Sequence, residues 1–295
     1  MRILELIQRT TPYFEKQGVE SPRLTIELLL AHLLKKRRLD LYLEFERELD
    51  EATLGKLREM VRRRVSGEPL QYITGEAEFC GLKFAVDRRV LIPRPETELL
   101  VETVVGRMES VVPCPDIGCR GESPESRVRI VDLCTGSGCI AVTLAKRLDA
   151  EVFATDVSAE ALALAEENAK RHEVEKKIRF FRGDLLEILP DSLAADAIVS
   201  NPPYIASGDL ARLPKEVREF EPVQALVAGE DGLNFYRRIV GNARRFLLPK
   251  GFLCLELGDG QRPAVEHLCV ENGWTVEPAV KDLQGKERVM VARPK

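Results

Sequence analysis

The chain predicts an α/β fold: a seven-stranded, mostly parallel sheet with an antiparallel last strand, preceded by a small helical region and a β-hairpin linker. Three observations carry this expectation. From residue 128 onward, strand-length apolar runs alternate with helix-length segments, the pattern of parallel strands joined by helical crossovers. The first of these runs ends in the glycine-bearing stretch Cys134-Thr135-Gly136-Ser137-Gly138 and leads into a helical pattern, as at the ligand-binding edge of open sheets. Before about residue 66 the periodicity is helical throughout.

Taken in order, Ile3, Leu4, Ile7, Tyr13 and Phe14 recur at helical spacing and Gly18 supplies a stop. Ser21-Pro22 forms an N-cap and first-turn proline for a second helix over 23–36, and a third runs over 53–65 to Ser66-Gly67. In residues 70–90 the apolar positions Tyr72, Ile73, Phe79, Leu82, Phe84 and Val86 are divided by Gly75 and Gly81, which reads as a hairpin. A Pro/Gly/Ser-rich interruption over 107–127 reads as an exposed loop. Strands follow at 128–133, 151–155, 178–182, 195–200, 251–257, 274–280 and 288–292, with helices at 139–148, 159–172, 233–246 and 262–272. The connection 281–286 is too short for a helical crossover, so the final strand pair is antiparallel.

Composition narrows the class. With 295 residues, 44% hydrophobic and 31% charged, the chain has the profile of an ordinary globular protein able to bury a substantial core. A net charge of −4 offers no basic field for tight nucleic-acid binding. No apolar stretch reaches membrane-span length and the N-terminus lacks a signal-peptide core, so the expected location is cytoplasmic. Seven scattered cysteines fit reduced thiols. Cys114/Cys119 and Cys134/Cys139 have zinc-like spacing, but the second pair falls in the glycine loop, and no metal is expected. The basic clusters 35–38 and 62–64 read as solvated helix ends, with docking of an acidic or RNA-containing partner as the alternative.

The chemistry concentrates at three strand ends. Glycines after the first core strand let a ligand approach the backbone. Asp156 ends the second strand about 20 residues later, where an acid accepts ribose hydroxyls. Asp184-Leu185 ends the third and can flank an adenine. The loop has Ala141 where a dinucleotide fingerprint has its third glycine, and Asp132 suits an amino group better than a pyrophosphate. An adenosine carrying a methionine tail fits that polarity. Next, the strand 195–200 runs into Asn201-Pro202-Pro203-Tyr204. The prolines have no N–H, so this loop offers carbonyl oxygens, an amide oxygen and an aromatic face to a planar NH2 group, either a carboxamide or an adenine amine.

These residues resemble the class I S-adenosylmethionine-dependent methyltransferases that carry an (Asn/Asp)-Pro-Pro-(Tyr/Phe) loop. More specific likeness lies in Gly67-Glu68-Pro69-Leu70-Gln71-Tyr72-Ile73-Thr74-Gly75, in Leu91-Ile92-Pro93-Arg94-Pro95-Glu96-Thr97-Glu98, and beyond the loop in Glu221-Pro222, Ala225-Leu226 and Gly229-Glu230-Asp231-Gly232-Leu233. They look like the corresponding segments of the peptide chain release factor N5-glutamine methyltransferases. The resemblance implies methyl transfer from S-adenosylmethionine to the side-chain amide of the glutamine in the release factors' Gly-Gly-Gln motif. It implies cofactor contacts from Cys134, Thr135, Gly136, Ser137, Gly138, Asp156, Asp184, Leu185 and Asn201. Asn201, Pro202, Pro203 and Tyr204 then hold the glutamine, with Asn201, Pro202 and Tyr204 acting in catalysis. The chain departs from the usual loop at Cys134 and Ser137, and Leu185 gives an aliphatic wall where a larger aromatic sometimes stands. The implied domains are 1–68, helical and partner-binding; 69–98, hairpin and linker; and 99–295, the methyltransferase domain. An adenine-N6 methyltransferase acting on DNA or RNA is the alternative, and a non-catalytic adenosine-binding module a more distant one.

Overall fold

A strand covered on both faces must be apolar at nearly every position, and Ala195–Ser200 meets that condition, with five of its six residues buried. It lies at the centre of the sheet in the computed structural model, which describes residues 1–111 and 127–295. The chain divides into two units: Met1–Glu76 with Pro214–Phe220, and Ala77–Leu213 with Glu221–Lys295.

The first unit is helical: α1 (Ile3–Lys16), α2 (Pro22–Leu34), α3 (Arg38–Leu43), α4 (Glu51–Val65) and α5 (Leu70–Thr74), with the later segment Lys215–Phe220 adding a short helix. Asp50 caps α4 by accepting from the Thr53 N–H at 2.7 Å. Ile3, Phe14, Ile26, Leu29, Leu30 and Leu57 form its core. The two basic clusters are largely paired inside this unit. Arg63 grips Glu68 through two 2.7 Å bonds. Arg64 is buried, bonded to the Glu68 carbonyl at 2.9 Å and to Glu216. Arg62 pairs with Glu59, Lys36 with Glu44, Arg37 with Asp40 and Arg38 with Glu27.

In the second unit a hairpin of β1 (Glu76–Phe79) and β2 (Leu82–Ala85) precedes α6 (Pro95–Val111). Then come β3 (Arg129–Leu133), α7 (Cys139–Arg147), β4 (Glu151–Asp156), α8 (Ala159–Arg171), β5 (Ile178–Arg182) and β6 (Ala195–Ser200). After α9 (Lys215–Phe220, in the first unit) follow α10 (Asn234–Asn242), β7 (Leu247–Glu256), α11 (Arg262–Glu271), β8 (Trp274–Val276), β9 (Val280–Lys281) and β10 (Glu287–Pro294). The sheet order is β5-β4-β3-β6-β7-β10-β8, with β9 also on β10. β5 through β7 are parallel, and β10 runs antiparallel to β7, β8 and β9. Alternation along β3 sends Ile130 toward α6 and α7, and Val131 and Leu133 toward α10 and α11.

Four expectations change. Residues 70–74 are a helical turn, so the hairpin starts at Glu76. The segment expected as one strand over 274–280 divides into β8 and β9 around Pro278, which has no N–H for the ladder, and the sheet therefore has eight strands. The helix α6 continues through Val111, shortening the interruption expected at 107–127 from its start; Cys114 and Cys119 lie outside the described residues. The helix expected over 233–246 ends at Asn242 and finishes as a tight 3-10 turn over Ala243–Phe246. Among the described residues no helix is long and apolar enough to cross a membrane, and no group of three or more His, Cys, Asp or Glu is placed to hold a metal.

Candidate active site

The loop after β3 is shaped by its backbone. Cys134, Gly136 and Gly138 all have positive φ, at 60°, 54° and 77°, so the chain coils tightly before α7 begins. Gly138 is required twice over: a Cβ there would lie 3.0 Å from Ala165 Cβ and 3.2 Å from Ala165 Cα. Gly136 faces open space, where an added Cβ would meet only the Cys134 carbonyl at 4.0 Å. Backbone bonds from the Thr135 N–H to Thr155 O (3.0 Å) and from the Gly138 N–H to Thr135 O (2.8 Å) hold the turn. Fully buried Asn168 accepts from the Ala85 N–H at 2.7 Å and donates to the Ser137 carbonyl at 2.9 Å, tying the hairpin to the loop.

Two acids serve this loop differently. Asp132 is fully buried and accepts from the Thr135 hydroxyl at 2.6 Å. Loss of water pushes its carboxyl up to about 7, and it braces the loop from behind instead of lining the cleft. Asp156 does line the cleft. Its two oxygens each accept one backbone N–H, from Gly136 and from Ser158, both at 2.9 Å. Burial raises its pKa, partly opposed by those N–H groups. Each carboxylate oxygen keeps a second lone pair for a ligand hydroxyl.

One cleft at the carboxyl ends of the strands brings together Cys134, Gly136, Asp156, Asp184, Leu185 and Asn201, with Pro203 beside them. Asp184 is tethered to Arg238 at 2.8 Å. Leu185, in the left-handed region at φ 54°, forms an apolar wall. Of the other expected residues, Thr135 and Ser137 are buried within the loop, and Gly138 starts α7 against Ala165. Pro202 is buried, and Tyr204 packs partly against the core with its hydroxyl pushed up to about 12 by desolvation. The Tyr204 carbonyl accepts from Gln261 Nε2 at 2.9 Å. The composition of the cleft fits an adenosine-type group: a carboxylate for a diol, an aliphatic wall for a ring and a loop face without side chains.

Asn201 is held from an unexpected direction. Its Nδ2 donates to Thr97 Oγ1 at 3.0 Å, which leaves Oδ1 as the amide end not engaged by Thr97. Thr97 sits in the first turn of α6 and is 2% exposed. Arg94 just before it pairs with buried Glu221, which also accepts from the Ile92 N–H at 3.3 Å. Sequence reasoning singled out both segments and gave neither a role. It also missed Gly183, Phe235 and Gln224 on the cleft wall. Only Gly183, directly before Asp184, carried a local signal.

Residues 5–75 match the family described as the PrmC N-terminal domain, and residues 122–214 match the methyltransferase small domain. A release factor glutamine methyltransferase of Nitratidesulfovibrio vulgaris is 41% identical over 291 residues, 98% of this chain and 94% of its own. One from Geobacter sulfurreducens is 42% identical over 292 residues, covering 99% and 96%. Among solved structures, a methyltransferase from Pyrococcus furiosus aligns with a TM-score of 0.51 at 16% identity, over 82% of this chain and 98% of that one, a likeness of fold.

Proposed function

The chain belongs to the release factor glutamine methyltransferase family, and from that premise we propose that the 201–204 loop holds the acceptor glutamine's side-chain amide beside the cofactor cleft. The enzyme transfers a methyl group to the N5 amide nitrogen of glutamine in peptide chain release factors. S-adenosylmethionine, bound in the cleft, supplies an electrophilic sulfonium methyl. In this reading Asp156 accepts the ribose hydroxyls, Leu185 flanks the adenine with Asp184 near its amine, and loop 134–138 lies against the amino-acid end.

An amide nitrogen is a poor nucleophile because its lone pair is delocalised into its carbonyl. Asn201 Oδ1 and the Pro202 carbonyl each accept one N–H of the acceptor amide, shifting electron density onto nitrogen and orienting it. Proline at 202 and 203 removes competing backbone donors. The Tyr204 ring keeps the amide plane in place and favours the positive charge that develops on nitrogen. Rate enhancement then comes from positioning and preorganised acceptors, with no side-chain base. The acidic product cation gives its proton to water.

The observation that carries the proposal is the Thr97–Asn201 bond, because it commits the NH2 end of Asn201 away from the acceptor role and spares its oxygen. We further propose that the partner is a release factor and not a nucleic acid, consistent with the net charge of −4 and with the internal pairing of both basic clusters. The cytoplasm, where that substrate acts, is the proposed location. Labelled methyl transfer tests this. Label enters a purified release factor and is lost when its Gly-Gly-Gln is changed to Gly-Gly-Asn; label in DNA or RNA instead overturns it.

A further inference from the structure

The acceptor loop ends at Tyr204, and what holds that end comes from outside the loop. Pro202 and Pro203 have φ fixed by their rings, so the loop's own stiffness places the Pro202 carbonyl. Tyr204 has no such restraint. Instead, both polar groups of the peptide that joins it to Ile205 are engaged. The Tyr204 carbonyl accepts from Gln261 Nε2 at 2.9 Å, and the Ile205 N–H donates to the Leu226 carbonyl at 2.9 Å. Gln261 Nε2 also meets the Gly232 carbonyl at 3.4 Å, which accepts its second hydrogen.

Gln261 stands directly before α11, where its own N–H bonds to the Gly258 carbonyl at 3.1 Å. Two carbonyl oxygens facing one end of a side-chain amide admit only its NH2, so the amide has one possible orientation. Its Oε1 is thereby turned into the protein, withdrawn from water and without a hydrogen-bond partner among the described residues. An unsatisfied buried oxygen is costly, and the bonds to Tyr204 and Gly232 offset that cost. The space is equally exacting. A Cβ at Gly258 would lie 2.3 Å from Gln261 Oε1 and 2.9 Å from Tyr204 Cδ2. One at Gly232 would lie 2.4 Å from the Tyr204 carbonyl oxygen and 2.8 Å from Gln261 Nε2. Two positions without side chains thus form a socket shared by the glutamine amide and the tyrosine.

We propose that Gln261 is a positioning residue for methyl transfer: by fixing the Tyr204 carbonyl, it sets the attitude of the Tyr204 ring against the acceptor amide. The inference rests on the role given to Tyr204 above. Gln261 lies outside the lining of the cofactor cleft, so its loss misplaces the ring and leaves cofactor binding intact. Small displacements of a group that orients a reacting atom cost rate more than binding.

The test follows methyl transfer into a purified release factor at saturating S-adenosylmethionine, with cofactor affinity measured in parallel as the control for folding. Gln261→Met, similar in length but without amide hydrogens, loses roughly 10- to 100-fold in kcat, with cofactor affinity and the KM for release factor each within about threefold of wild type. Gly258→Ala reaches the same socket from another side, and its backbone lies outside the left-handed region; it gives the same split. In a Tyr204→Ala background, where no ring remains to be placed, Gln261→Met costs less than about threefold. A Gln261→Met enzyme within about twofold of the wild-type kcat overturns the positioning role. So does a parallel loss of kcat and cofactor affinity in both Gln261→Met and Gly258→Ala, or a full loss repeated in the Tyr204→Ala background. A wild type that labels no release factor instead overturns the function on which the inference rests.

Discussion

Gly138→Ala is the sharpest single test of how the cleft loop is built. At φ 77° an L-residue costs about 1–2 kcal/mol relative to glycine. The added methyl would also lie 3.0 Å from Ala165 Cβ and 3.2 Å from its Cα. Neither atom belongs to a flexible side chain, so α8 itself must move, at about 1–3 kcal/mol. Together these give a loss of about 3 kcal/mol. Urea unfolding followed by the fluorescence of Trp274 reads this directly, because Trp274 is the sole tryptophan and is fully buried in the sheet-bearing unit. The midpoint falls while the slope stays constant. Adding Ala165→Gly to Gly138→Ala removes the 3.0 Å contact with Cβ and leaves the 3.2 Å contact with Cα and the backbone cost, so a double-mutant cycle shows a coupling of about 1 kcal/mol. A Gly138→Ala protein within about 0.5 kcal/mol of wild type refutes the argument.

Two further outcomes follow from the two acids of the loop. Asp132 has a folded-state pKa of about 7 against its ordinary 3.8, so the folded state binds this proton more tightly than the unfolded chain. Its contribution therefore favours folding at low pH and is lost as pH rises from about 4 to about 7; Asp132→Asn should be more stable than wild type at pH about 8 and lose that advantage near pH 5, measured by the same urea titration. Asp156→Asn keeps the volume but gives one end of the group hydrogens in place of lone pairs, so it cannot serve both the Gly136 and Ser158 N–H groups and a ribose diol. S-adenosylmethionine affinity should fall at least about tenfold by calorimetry, and unchanged affinity would remove Asp156 from the site.

The parts of this molecule legible in its sequence are those written locally. β3, its glycine loop and α7 are contiguous, and Asp156 and Asp184 follow at the ends of the next two parallel strands, so spacing alone brings them to one edge of the sheet. The family resemblance rested on equally contiguous strings. What could not be read are contacts between distant segments. Thr97 and Asn201 are 104 positions apart, and Asn168 meets Ala85 over 83; nothing in either local pattern specifies the other. The turn of helix over Leu70–Thr74 was obscured for a different reason. With Tyr72 and Ile73 buried over five residues, helical and strand periodicities are indistinguishable. Likewise, the helix Lys215–Phe220 carries no mark of belonging with the N-terminal helices, because its link to them is made by Glu216 reaching Arg64 across 152 positions.

The central claim is that the oxygens of Asn201 and Pro202 hold a glutamine amide for methylation, and its most direct measurement is the position of the methyl group after a single turnover. Fragmentation mass spectrometry of the release factor should place one methyl on the side-chain nitrogen of the Gly-Gly-Gln glutamine with wild-type enzyme. With Asn201→Ala, which should still bind S-adenosylmethionine, the rate should fall on the order of 100-fold or more. A methyl group on any other residue, or an Asn201→Ala enzyme that modifies the glutamine at close to the wild-type rate, would contradict the account.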